Sequence, residues 1–237
     1  MPDAFGMEMV KKFFLASAVI ALGFVAVAPS PSLAQVTKSG SKYKFRMKWV
    51  KGAHMAYGLE MTQVGSTAKP MQMGLVYDVL SVANGVGTVQ ATVSNAGQQP
   101  QKETVKIDDR GRASGGSNVA GFSNILEFPA EAVAVGGSWK TNASLPGMGG
   151  SKMTGTATNT LKGFRTEGGK SYAYVTTDLN VSGGGVSGKG KTDSLISMAD
   201  GQLLRTSMAL KMTISTKDSK GKTVTQSIDL TVKMTRK

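Results

Sequence analysis

Polar and apolar residues alternate along most of this chain, and a period of two predicts β-strands. The stretch KYKFRMKWVK, residues 42–51, shows the pattern most clearly. Tyr43, Phe45, Met47 and Trp49 fall on one side, and Lys42, Lys44, Arg46 and Lys48 fall on the other. Next, Met55, Tyr57, Leu59 and Met61 share a face, as do Met71, Met73, Leu75, Tyr77 and Val79. The pair Asn84-Gly85, a favoured tight turn, leads into a strand over VGTVQATVS. A further strand around Glu103–Ile107 stops at the turn residues Asp108-Asp109-Arg110-Gly111.

The rhythm breaks in SNVAGFSNILEFPAEAV, where a short helix is expected from about Asn118 to Glu127, stopped ahead of Pro129. VAVGGSWKTN then resumes as a strand, and LPGMGGSKM reads as a loop. The C-terminal part predicts five long strands in meander, about Thr154–Arg165, Ser171–Ser182, Ser187–Met198, Gln202–Thr216 and Thr223–Arg236. In the last of them Val224, Ile228, Leu230, Val232 and Met234 share one face, and Thr225, Ser227, Asp229, Thr231, Lys233 and Thr235 share the other. Antiparallel sheets with one wet face read this way. Strands well beyond the usual five to six residues must also twist and coil. The fold class expected is therefore all-β: a long curved antiparallel sheet or half-barrel with one short helix in the middle.

The first 34 residues stand outside this pattern. Lys11 and Lys12 precede an apolar run from Phe13 to Val27, and Ser32-Leu33-Ala34 supplies small residues ahead of Gln35. This is the layout of a secretory signal peptide. The run is shorter than the roughly 20 residues that span a bilayer, and Pro29 and Pro31 follow it. The organisation expected is a signal peptide over residues 1–34 and a single β-rich domain over residues 35–237, with no transmembrane segment in the mature chain. The location expected is secreted, in the periplasm or cell envelope.

Charge sharpens the picture. The chain carries a formal net charge of +13. Lys11, Lys12, Asp3 and Glu8 lie in the leader, so its removal leaves that excess in place. A basic surface favours anionic partners, and export makes envelope lipids and polymers the natural ones. The same lysines also protect strand edges from pairing. There are no cysteines, hence no disulfide, no acylated lipoprotein cysteine and no thiolate site.

Three candidate chemistries are weaker than they look. Gly185, Gly190, Lys191 and Thr192 fit the phosphate-loop pattern G-x-x-x-x-G-K-[ST]. That loop needs a helix after it to aim amide groups at phosphates, and DSLISMADG reaches a turn too soon. Copper would suit the methionines together with His54 and Trp49. However, alternation turns His54 away from Met55, Tyr57 and Met61, so Met fits better as core or lipophilic lining. Catalysis would have to use His54, the only histidine, with Asp78 or Glu60. Asp108-Asp109 read as turn formers. No cofactor, metal or catalytic residue is expected. Nucleic acid is not an expected partner either, because the first strand puts its aromatics and its cations on opposite faces, whereas a stacking platform needs them together.

EFPAEAVAVGGSWKTN carries a resemblance. Phe128, Pro129, Val133, Val135, Gly136, Gly137, Ser138 and Trp139 resemble the FP…V-x-V-G-D-S-W stretch of a family of uncharacterised bacterial secreted proteins with two β-rich halves. Gly137 stands where Asp is more usual. The family brings no activity and no catalytic residue. The half-barrel is also similar, at fold level, to the LolA/LppX lipoprotein carriers, which implies a lipophilic concave face.

Two functions follow as expectations. One is a non-enzymatic protein that binds or carries a lipid or other amphipathic envelope molecule, lined by Phe45, Met47, Trp49, Met61, Met73, Tyr77, Met208 and Met212. The other is a structural envelope protein with a filled core, acting on anionic polymers or lipids through its basic outer face. Lys42, Lys44, Arg46 and Lys48 are the surface cations expected to meet such an anionic envelope surface.

Overall fold

The computed structural model describes residues 36–114, 127–146, 152–217 and 223–237. The leader expected over residues 1–34 lies outside them. So does the helix expected over 118–127, apart from Glu127, which is not helical; among the described residues there is no helix. None is thus long and apolar enough to cross a membrane.

Fourteen strands follow in order: β1 (Val36–Ser39), β2 (Lys42–Phe45), β3 (His54–Gln63), β4 (Met71–Ala83), β5 (Val86–Asn95), β6 (Gln101–Ile107), β7 (Ala113–Ser114), β8 (Val133–Ala134), β9 (Ser138–Pro146), β10 (Lys152–Glu167), β11 (Lys170–Gly183), β12 (Val186–Ser197), β13 (Leu203–Lys217) and β14 (Thr223–Arg236). Eleven of them form one antiparallel sheet in the order β7-β6-β5-β4-β3-β14-β13-β12-β11-β10-β9. The sheet is not closed into a barrel, because β7 and β9 remain at its edges. The two halves of the chain meet where the last strand pairs with the first long one, Val232 opposite Met61 and Met234 opposite Leu59. A small second sheet has the order β1-β2-β8.

The five long C-terminal strands fall where alternation places them, each within two residues at either end. Among the described residues, the turns between them carry glycines of positive φ. Gly184 and Gly185 both take positive φ in the β11–β12 turn. At Asn84-Gly85 both residues are left-handed, which is the conformation a two-residue hairpin of this kind requires.

Two expected strands are interrupted. KYKFRMKWVK is strand only to Phe45; beyond it Met47 N–H bonds Asp109 O at 2.6 Å, outside any ladder. The alternation of burial nevertheless continues through Met47 and Trp49. VAVGGSWKTN is two strands, not one, because Gly136 turns the chain at φ 84° and Gly137 N–H closes the turn on Ala134 O at 2.9 Å. A Cβ at Gly137 would lie 2.9 Å from that same carbonyl oxygen. The Asp usual in the resembling stretch therefore does not fit this turn as it stands.

One hydrophobic core runs the width of the large sheet, joining the buried face of β3–β6 to that of β10–β14. Burying each large apolar side chain here contributes about 1.5–3 kcal/mol.

Candidate functional site

All eight residues expected to line a lipophilic pocket lie in this core. Phe45, Met47, Trp49, Met61, Met73, Tyr77, Met208 and Met212 are each between 0 and 6% exposed. They come from different parts of the chain. Phe45, Met47 and Trp49 come from the segment after β1, Met61 and Met73 from paired strands, and Met208 and Met212 from β13. Their partners are protein atoms. The Phe45 ring lies 5.6 Å from Phe128 and 6.4 Å from Trp139. Tyr77 meets Tyr57 edge-on at 6.2 Å. The Trp49 ring rests on Gly87, where a Cβ would come within 2.5 Å of it, and its Nε1 donates to Asp108 O at 3.2 Å.

The four cations of the opening stretch divide. Lys42 and Lys44 are exposed, as expected, and Lys48 is half-buried. Arg46 is not a free surface cation. Its guanidinium donates to Phe45 O at 2.6 Å, Pro129 O at 2.8 Å and Ala130 O at 2.6 Å, and its Nε lies 3.2 Å from Asp109. Arg46 therefore clasps the Phe128-Pro129 segment to the first half of the chain. Arg110 holds the same segment through Phe128 O at 2.9 Å and an ion pair with Glu127. Trp139, from the second half, donates to Glu127 O at 2.6 Å. With Phe128 fully buried, the FP…GGSW stretch is a structural cross-link between the halves.

His54 sits where alternation turned it, exposed and facing away from buried Met55. Its Nδ1 lies 2.7 Å from Asp78 Oδ1, across the β3–β4 register. Among the described residues, no serine or threonine hydroxyl is bonded to the imidazole. The phosphate-loop pattern is a hairpin and a strand: Gly185 is in the turn, and Gly190, Lys191 and Thr192 are in β12.

The core also holds a polar row that the sequence pattern did not single out. Thr177 Oγ1 donates to Asn159 Oδ1 at 2.7 Å, Asn159 Nδ2 donates to Thr141 Oγ1 at 3.4 Å, and Ser194 and Thr206 are 2.9 Å apart. All five are buried, and mutual bonding offsets their loss of water. Among the described residues, the Tyr57 hydroxyl is buried without a bond. Burial raises the ionisation of Tyr57 and Tyr77 well above the usual phenol range.

Open space lies on the exposed face of the second half. One depression of about 500 Å³ is lined by Thr154, Thr156, Ser182, Ser187, Lys189 and Lys211 among others. A second, of about 460 Å³, adds Asp178, Lys191, Ala209 and Asp229. The two share Asn180, Lys189 and Lys211 and so form one trough. Its floor is a cross-strand row, Thr156-Asn180-Lys189-Lys211-Asp229, from β10 to β14. Five strands at sheet spacing make that row roughly 19 Å long. Alternation marked these positions as polar, but nothing in the one-dimensional pattern brings Lys189 beside Lys211; the register does.

No protein-family model matches the chain, and comparison with curated proteins finds no match.

Proposed function

We propose that this is a non-enzymatic, exported envelope protein with a filled core, which acts through its basic exposed face on anionic polymers or lipids. In this reading the open sheet curls into a half-barrel whose inner side is packed shut by its own methionines and aromatics. The observation that carries it is the burial of all eight candidate lining residues, at 0 to 6% exposure. Side chains this closed present no surface to a ligand. The cations, by contrast, lie outside: Lys42, Lys44, Lys189 and Lys211 are all exposed. The filled-core alternative therefore has support that the carrier reading lacks.

The test is co-sedimentation of the exported chain with anionic vesicles and with an immobilised polyanion over a salt series. Attraction between exposed charges is screened within about 10 Å at 0.1 M salt. Binding that weakens steeply with salt supports the proposal. Failure to bind any anionic surface at low salt refutes it.

A further inference from the structure

We infer that the trough over β10–β14 is a binding site for an acidic polysaccharide, whose anionic group seats between Lys189 and Lys211. This inference rests on the reading of an anion-binding exposed face and names where and what that face binds.

Lys189 and Lys211 stand directly opposite each other on neighbouring strands. Like charges so placed destabilise a sheet. Some other cations of this half have a partner, whereas the exposed Lys140 and Lys233 have no carboxylate within 4.0 Å among the described residues. Arg205 makes a two-bond pair with Glu167 at 2.8 and 2.7 Å, Arg165 lies 3.8 Å from the centre of the Tyr174 ring, and Lys191 is 3.9 Å from Asp178. Among the described residues, neither Lys189 nor Lys211 has a carboxylate within 4.0 Å. Asp229 is next to Lys211 in the row without reaching it. Among the described residues, the first depression has both lysines and no acid in its lining, whereas Asp178 and Asp229 line the second. An anion in the first depression relieves the repulsion between the two ammonium groups.

The neighbours of that seat choose among anions. The next row toward the β11–β12 turn is Thr154-Ser182-Ser187-Thr213, four hydroxyls in register. With Asn180 and Thr156 they offer neutral donors and acceptors along the trough, which is what a chain of sugar hydroxyls requires. A nucleic acid would call for aromatic stacking partners, and among the described residues no aromatic lines either depression. A bilayer would call for apolar side chains to insert. Among the described residues only Val64, on the rim, is a large exposed apolar side chain there.

The Gly188-Lys189-Gly190-Lys191 run thus has a physical account as a strand. Its lysines point out into the trough. Its glycines face the core, where a Cβ at Gly190 would meet Leu210 at 3.2 Å.

The experiment measures binding of the full exported chain to polygalacturonate, with uncharged dextran and phosphatidylglycerol vesicles as comparison ligands. Lys189→Gln/Lys211→Gln is set against Lys102→Gln/Lys106→Gln, which removes the same charge from exposed positions on β6. Circular dichroism checks that each variant is folded. The expected result is about a tenfold loss of polygalacturonate affinity for the first pair and less than twofold for the second. Equal losses in both pairs, or none in either, overturn the site. Wild-type binding to vesicles but not to polygalacturonate overturns the polysaccharide and leaves the anionic-surface reading standing. No binding to any anionic ligand overturns both.

Discussion

Tyr57→Phe tests the packing of the core through a single oxygen atom. The Tyr57 side chain is 1% exposed, and among the described residues its hydroxyl has no hydrogen-bond partner. A buried polar group without a partner costs about 1–3 kcal/mol, and phenylalanine keeps the ring contact with Tyr77 while deleting that group. The variant is therefore expected to be more stable by about 1 kcal/mol, a rise in Tm of about 2–4 °C for a chain of this size. The same residue predicts an alkaline signature. Burial raises its ionisation above that of the unfolded chain. Folding thus draws full benefit from the neutral phenol below about pH 10 and loses it as pH climbs toward the raised folded value. Each such tyrosine steepens the loss by about 1.4 kcal/mol per pH unit above the unfolded pKa. Tyr77 is raised by burial too, so Tyr57→Phe should remove about half of the slope that the two tyrosines produce. Urea unfolding followed by circular dichroism at pH 8, 10.5 and 11.5 reads both effects. A loss of more than 1 kcal/mol at pH 8, with an unchanged alkaline slope, refutes the reasoning and means that the hydroxyl is bonded.

Three further substitutions probe separate parts of the account. Gly87→Ala places a Cβ within 2.5–2.8 Å of the Trp49 ring; it should cost about 1–3 kcal/mol and shift tryptophan emission to the red, and unchanged emission would contradict the packing. Arg46→Ala removes bonds to Phe45 O, Pro129 O and Ala130 O; it should cost about 2–3 kcal/mol and speed proteolysis near Pro129, while Lys42→Ala/Lys44→Ala leaves stability unchanged and weakens anion binding. Asn159→Ala strands the hydroxyls of Thr141 and Thr177 and should cost about 2 kcal/mol, whereas a neutral result in denaturant titration would mean that water satisfies them.

Alternation made the fold legible wherever one face of a strand is wet. The last strand is the plainest case: Ile228, Leu230, Val232 and Met234 are buried, and Ser227, Asp229, Lys233 and Thr235 are exposed, although Val224 at its start, read on the apolar face, is 48% exposed. Where non-ladder bonds decide the backbone, the pattern misleads. After Phe45 burial still alternates, but the partner of Met47 is a turn carbonyl rather than a strand, and no periodicity reports that. Val133 to Asn142 reads as one strand because Gly136-Gly137 is tolerated in either a strand or a turn. The candidate site was half legible. The apolar face of Met61, Met73, Met208 and Met212 is real, but a sequence cannot say whether such a face is lined or filled; that depends on what packs against it from far along the chain, as Phe128 packs on Phe45. Lys189 and Lys211 were not singled out in the sequence, since 21 intervening positions separate them and only the β12–β13 register joins them.

The central claim is that the core is filled and the protein works from its exposed face. Native mass spectrometry of the chain, purified gently from its source cells, tests that most directly. The account predicts the mass of the bare polypeptide, unchanged on denaturation. A bound lipid that leaves on denaturation would contradict it, and would return Phe45, Met61 and Met208 to the lining of a pocket.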